Sequence, residues 1–382
     1  MSIQARVLQH IRQQHEISQS ELRIQTGLSA SAISSAVRRV QSIGLIQEVG
    51  SLQEAMGRPR TLLSLNADYA YTVGVQLNVQ QSHIVLSNLC GKVVHRAQFS
   101  HSSHIPTQIA EDVARFIAEV GGHRIVGIGL AVSGIIDAER GVCLDSATTV
   151  GWQDVPIGPV VAERTGIPTS VENDANALAL AELLFGAAKH DNSFIVVTLG
   201  TGIGAGIIID RKLYRGRNGI AGEIGHISVS APSSYTCSCG KTDCLEATAS
   251  SRAIACAVSE RLGVPIALEH LRETLHNEPD IAQEVLDHAG TRLGAVLAVL
   301  ATVFDPDALY VAPEHHINLP AFQLAAATAF QSAVMPLCRT ATTLRFLNES
   351  EDMWARGAAS VAIERFFASA VQTTGGDVAR PP

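Results

Sequence analysis

Four side chains of metal-ligand type crowd one stretch of the chain, GRNGIAGEIGHISVSAPSSYTCSCGKTDCLE, between residues 216 and 246. His226, Cys237, Cys239 and Cys244 offer one imidazole and three thiols, two of the cysteines a single residue apart. One nitrogen and three sulfur donors suit tetrahedral Zn2+, and four protein ligands leave no coordination position for a substrate. The expected role of the metal is therefore structural. Free thiols on a surface loop are the alternative, and they leave Gly240 and the matching histidine unexplained. The remaining cysteines, Cys90, Cys143, Cys256 and Cys338, stand alone as small hydrophobes. Seven cysteines in 382 residues are too few for a disulfide scaffold.

A second polar group shares His226 with the first. Asn173 and Asp174 follow the apolar stretch 167–171, at the end of a strand where a cleft opens. Asp174 alone could equally cap the Ala-rich helix expected over 175–185. Taken with Glu223 and His226 it forms a hydroxyl-binding set, in which carboxylates accept O–H groups while amide and imidazole supply mixed donors and acceptors.

The elements that must position these groups follow from the apolar pattern. Residues 71–77, 83–89 and 93–99 read as strands, 109–120 as a helix and 125–132 as an apolar strand. A second copy begins with strands over 194–199 and 206–209. This β-β-β-α-β order, with Glu172-Asn173-Asp174-Ala175-Asn176, the glycine-rich stretch 198–206 and the Gly-Glu-Ile-Gly-His segment joined to Cys-x-Cys-x4-Cys, resembles the ROK family of sugar kinases and sugar-responsive repressors. The resemblance implies an α/β body with a two-lobed actin-like, ribonuclease H-like fold, residues 67–173 plus 352–370 forming the first lobe and 174–351 the second. It implies that Asn173, Asp174, Glu223, His226 and Glu246 contact a sugar or sugar phosphate, with Gly134 supplying a backbone contact. Ser133 stands where the family more often has Pro, and Asp243 where it usually has Gly, a change expected to strain the zinc loop slightly.

In the family's kinases the Asp174 position is the general base that takes the proton of the attacking sugar hydroxyl. Phosphoryl transfer also needs glycine loops whose amides reach the phosphates. The kinases carry Asp-x-Gly-Gly-Thr after the first strand, where this chain has Gln76, Asn78 and Val79. A kinase-type Gly-Gly pair is likewise replaced by Ala312-Pro313-Glu314, read as following a strand over 308–311. Only the loop 200–206 is kept. The expectation is a sugar-binding body without catalysis, Asp174 being a vestigial base. A sugar kinase with a fused head, and a regulator controlled by a protein partner docking on the Ala-rich helix 353–369, are the alternatives. In that helix Trp354, Ala358, Val361, Ile363 and Phe366 are expected on the buried side.

The first 66 residues differ from the rest. Residues 1–65 hold seven Arg, no Lys and four Glu, a net of +3, against −11 for the remainder of a chain with net charge −8. A basic head on an acidic body points to an anionic partner for the head. Ile3, Val7, Leu8 and Ile11 share one helical face, Ser18-Gln19-Ser20-Glu21 has the form of a capping box, and Ser29 caps a third helix reaching about Ser42. That third helix turns Ile33, Val37 and Val40 inward and Ser31, Ser34, Ser35, Arg38 and Arg39 outward, a surface suited to a major groove. A hairpin follows, its tip Gly57-Arg58-Pro59-Arg60 placing Arg58 and Arg60 as the wing. The pattern is a winged helix-turn-helix, similar to the heads of ROK repressors, with operator DNA as its partner. A helical bundle for partner docking is the plainer alternative.

The composition, 46% hydrophobic with 31 glycines and 4% aromatics, fits an α/β protein of several units. No uninterrupted apolar run reaches the ~18 residues of a membrane span. The N-terminus lacks signal-peptide character. A cytoplasmic homodimer or homotetramer is expected, with residues 371–382 as a disordered tail.

Overall fold

The N-terminal helix α1 (Ile3–Gln14) buries Ala5, Val7, Leu8 and Ile11, while Ile3, expected on that face, is 40% exposed. The structure, a computed structural model, describes residues 2–52, 60–78, 81–100, 105–146, 151–230, 232–348, 350 and 352–373. After β1 (Ile17–Ser18), Ser18 and Glu21 close the capping box that starts α2 (Gln19–Thr26). Gly27, at φ 68°, ends that helix in the left-handed region where a Cβ is disfavoured. The Ser29 hydroxyl caps α3 (Ala30–Ser42), accepting from the Ala32 N–H at 3.2 Å. Strands β2 (Ile46–Leu52) and β3 (Arg60–Leu65) complete a three-stranded sheet in the order β1-β3-β2. The wing tip Gly57-Arg58-Pro59 lies outside the described residues. Arg60 is the first residue of β3, opposite Leu52, rather than part of the tip.

The next sheet is built from β4 (Tyr71–Leu77), β5 (Gln81–Asn88), β6 (Val93–Ser100), β7 (Ile125–Val132) and, past the small hairpin strands β8 (Ile135–Asp137), β9 (Val142–Ser146) and β10 (Trp152–Val155), β11 (Thr169–Asn173). Helices α4 (Pro106–Glu119) and α5 (Ile157–Thr165) cover one face. Strand order is β11-β7-β4-β5-β6, parallel from β4 through β7 to β11 and antiparallel beyond. The near-continuous apolar run of β7 follows from its being covered on both faces.

The second half repeats the plan. Helix α6 (Asp174–Phe185) leads to β12 (Phe194–Leu199), β13 (Ile203–Ile209) and β14 (Lys212–Leu213). Then come α7 (Leu245–Ala249), α8 (Ser251–Leu262), α9 (Leu268–Asn277), α10 (Pro279–Phe304), β15 (Ala308–Pro313), α11 (Pro320–Ala333), α12 (Pro336–Ala341) and β16 (Thr343–Phe346). The sheet order β14-β13-β12-β15-β16 has the same parallel and antiparallel pairings as the first. Strand β15 runs two residues further than expected, through Ala312 and Pro313. Pro313 is tolerated because the β16 partners end opposite Val311, so its missing N–H breaks no bond to that strand. By length and composition α10 is long and apolar enough to cross a membrane, although no single run suggested it. Here Leu293, Leu297 and Ala301 are buried in the core of the second half.

The last helix, α13 (Met353–Thr373), lies between the two sheets and is buried on more than one side. A Cβ on Gly129 would sit 1.8 Å from the Ala358 carbonyl oxygen, and one on Gly74 2.1 Å from that of Ala355. These strand glycines let the helix backbone rest directly on the sheet. On its other side Gly357 abuts Ala177 of α6. Phe367 rather than Phe366 is the fully buried aromatic, and Trp354 is half-buried. The helix continues to Thr373, past the expected start of the tail at 371. Its far end enters the head: Ile363, Phe367 and Leu89 share one apolar cluster with Val7, Ile11, Leu45 and Leu65. Arg12 of α1 pairs with Glu364 at 2.6 Å and stacks over the Phe367 ring at 3.8 Å.

Candidate functional site

Asn173 and Asp174 stand where β11 gives way to α6. The cap of α6 is Asn173, whose Oδ1 accepts from the Asn176 N–H at 3.2 Å, so Asp174 is left for other work. The Asn173 amide also donates to the Gly134 carbonyl at 3.0 Å. Gly134 has φ 121°, and a Cβ there would meet the Asp145 carbonyl at 2.2 Å, so glycine is required. Burial raises the Asp174 pKa, against two backbone hydrogen bonds that lower it. Glu223 is raised too, first by burial and then by the charges of Asp174 and Glu246, with His226 acting the other way. Asn173 thus reaches Gly134, and Glu223 lies within electrostatic reach of Asp174, His226 and Glu246.

The loop carrying Glu223 is held there by a group that residue types alone did not single out. Arg215 donates to Glu172 from Nε at 2.7 Å and pairs through Nη2 at 2.6 Å. The Glu172 side chain is 2% exposed, and its other oxygen accepts from the Asn176 amide at 3.0 Å. This pair ties β11 of the first sheet to the loop after β14 of the second. The one hint in sequence was an acid ending an apolar strand.

His226, Cys237, Cys239 and Cys244 converge, their ligand atoms all within 4.8 Å of one another. The Cys237 sulfur is 3.4 Å from His226 Nδ1, and Cys239 and Cys244 sulfurs are 4.0 Å apart. Tetrahedral zinc at its usual bond lengths sets about 3.8 Å between two sulfurs and about 3.5 Å between sulfur and nitrogen, so the cluster fits a metal ion. His226 faces two ways: Nδ1 toward the cluster, Nε2 toward Glu223 at 3.7 Å. The expected strain at Asp243 is absent. Its backbone is not in the left-handed region, its carboxylate accepts from the Ser228 hydroxyl, and Gly240 takes the left-handed turn at φ 83°.

Glu246 links the cluster to the glycine loop. Its Oε1 accepts from the Cys237 thiol at 3.1 Å and its Oε2 from the Ile203 N–H at 3.1 Å. A second carboxylate comes from Glu314, whose Oε2 accepts from the Thr201 N–H at 3.2 Å. A Cβ on Gly200 would lie 2.0 Å from the Glu314 carboxyl carbon. The turn between β12 and β13 thus holds the chain's own carboxylates against its amides. Gly206 serves packing, since a Cβ there would meet the Ala175 carbonyl at 2.4 Å. On the first sheet the Gln76 position ends in β4 and Asn78 follows it, while Val79 lies outside the described residues.

In the head, Ser29, Ser31, Ser35, Arg38 and Arg39 are exposed and Ser34 half-exposed, on the face of α3 opposite buried Ile33, Val37 and Val40. Arg60 is half-buried near Glu21, whose pKa is lowered first by the Ser18 N–H and hydroxyl and least by Arg60.

Residues 72–364 match the model of the ROK family. The xylose repressor of Bacillus spizizenii is 28% identical over 367 residues, covering 94% of each chain. A crystal structure of a ROK family transcriptional regulator, a homologue of the E. coli MLC protein, superposes with a TM-score of 0.83 at 24% identity over 98% of each chain. A ROK family glucokinase from Streptomyces griseus, in complex with glucose and AMPPNP, gives a TM-score of 0.67 at 28% identity, covering 77% of this chain and all of that one. The family match spans well over half of the sequence: this chain is a member of the ROK family.

Proposed function

We propose that the chain is a sugar-responsive transcriptional repressor whose body binds a sugar without phosphorylating it. The observation that carries this reading is the likeness to a xylose repressor across head and body alike. The head, residues 1–66, binds operator DNA through Ser29, Ser31, Ser34, Ser35, Arg38 and Arg39, with Arg58 and Arg60 on the wing reaching the backbone. The body divides into a lobe of residues 67–173 plus 352–370 and a lobe of 174–351. The sugar lies between them, held by Gly134, Asn173, Asp174, Glu223, His226 and Glu246, and xylose is the first to try. Zn2+ on His226, Cys237, Cys239 and Cys244 would act structurally, fixing the loop that presents His226 Nε2 and Glu246.

Absence of catalysis is supported by Gln76 and Asn78 in place of the kinases' phosphate loop and by Glu314, whose carboxylate lies against the glycine turn where a nucleotide phosphate would have to displace like charge. The likeness to a glucokinase in complex with AMPPNP favours the competing reading, a kinase with a fused head. The buried position of α13 leaves a partner-docking role for that helix without support. The exposed apolar residues Val299, Val303, Leu324 and Leu337 on α10–α12 support a homo-oligomer. A DNA partner supports a cytoplasmic location.

The test is a thermal-shift series with free sugars, sugar phosphates and Mg-ATP. Stabilisation by one sugar and none by Mg-ATP is expected. A shift with Mg-ATP, accompanied by ADP release, overturns the reading in favour of a kinase.

A further inference from the structure

A cleft of about 400 Å3 opens where the head meets the body, away from the polar cleft and the cysteine loop. Its apolar wall includes Leu8 and Ile11 of α1, Leu183 at the end of α6, and Phe367 of α13. Its size is in the range of small-molecule sites, and its walls come from head and body at once.

The charges around it are unbalanced. Glu364 is already taken by Arg12 at 2.6 Å, and Glu16 is exposed at the rim. Arg211, held at φ 60° in the tight turn between β13 and β14, spends one nitrogen on the carbonyls of Lys189 and Asp191, at 3.1 and 2.7 Å. It makes no ion pair among the described residues. Lys189, on the same wall, makes neither an ion pair nor a side-chain hydrogen bond among them. Lys189 has no ion-pair partner among the described residues and Arg211 only the longer-range attraction of Asp191 and Glu364, so the two cations beside an apolar wall are complementary to an anion with an apolar body.

We propose that this cleft is a second ligand site, taking a small organic anion whose phosphate or carboxylate meets Arg211 and Lys189 and whose apolar part lies against Leu8, Leu183 and Phe367. The assignment is independent of sugar sensing, and its test uses neither sugar nor DNA.

Isothermal titration of the full chain with 1-naphthyl phosphate, 1-naphthoate and neutral 1-naphthol tests it. At least one anion should bind at least about tenfold more tightly than the naphthol, and which anion binds distinguishes a phosphorylated from a carboxylic ligand. Lys189→Glu and Arg211→Gln should each weaken that binding by about ten- to a hundredfold, as loss of a charged contact implies. Asp174→Asn should leave it unchanged. Because Arg211 also braces two carbonyls, Lys189→Glu, a change at a half-exposed side chain, is the decisive variant. The proposal falls if neither anion outbinds the naphthol, if Lys189→Glu with wild-type melting binds as the wild type does, or if Asp174→Asn abolishes binding.

Discussion

The two sheets of the body have one topology and opposite surroundings. Both place a central strand between an antiparallel hairpin and a parallel neighbour, and both receive a helix on strand glycines, α13 on Gly74 and Gly129, α6 on Gly206. The second sheet carries the cysteine loop, Glu223 and Glu246, with Asp174 at the start of its helix. The first contributes only Asn173 and Gly134 and is continuous with the head through α13. On the proposed function the difference separates reception from relay: the second half supplies most of the ligand contacts, and the first holds the head. Helix α6, roughly 18 Å long at ~1.5 Å per residue, starts at the cleft and meets α13 back to back at Ala177 and Gly357.

The comparison breaks most severely at the relay. Gly129→Val puts a branched side chain where a Cβ alone would lie 1.8 Å from a carbonyl oxygen. A loss of roughly 3 kcal/mol or more in unfolding free energy, or failure to fold, is expected by chemical denaturation. The same substitution at Gly240, which has nothing within 4 Å but a positive φ, should cost only about 1–2 kcal/mol. On the receiving half, Cys239→Ser should remove the metal, seen by elemental analysis, and weaken sugar binding by about 10–100-fold. Metal loss with unchanged sugar affinity would leave the cluster no part in positioning.

Asp174→Asn sharpens the contrast between stability and function. The folded-state pKa of Asp174 lies above its unfolded value, so the folded protein binds that proton more tightly. Its ionised form therefore costs stability at neutral pH, a cost relieved as pH falls through the raised pKa. The amide cannot ionise, so the variant should melt higher than wild type at pH 7, with the gain shrinking toward acid pH. Its sugar affinity should fall by about tenfold or more by calorimetry. The smallest effect is expected at the head: Arg12→Ala removes a half-exposed ion pair and a cation–π contact, about 1 kcal/mol together. It should change operator affinity while leaving sugar affinity alone.

Much of this was legible in sequence because it is local. The strands Tyr71–Leu77, Ile125–Val132 and Phe194–Leu199 coincide with predominantly apolar runs, and Ser18, Glu21, Gly27 and Ser29 mark helix ends by their own hydrogen bonds or backbone. The cysteine cluster was legible from spacing. What escaped depends on distant partners. Glu172 meets Arg215, Glu314 meets Thr201, and Arg12 meets Glu364, each a contact that leaves no period in the chain. Phe366 and Phe367 are adjacent aromatics, and which one is buried was decided by the head packing on α13. Strand β15 outran its expected end because Pro313 sits past the β16 ladder.

The most direct test is the operator affinity of the wild type and of Asp174→Asn, each with and without saturating sugar, on a duplex selected by the protein from a random pool. Fluorescence anisotropy should show the sugar changing the wild-type Kd by about 5–150-fold, the usual span of allosteric coupling, at a sugar concentration that leaves Asp174→Asn unmoved. An operator affinity indifferent to every sugar that the cleft binds would contradict the account.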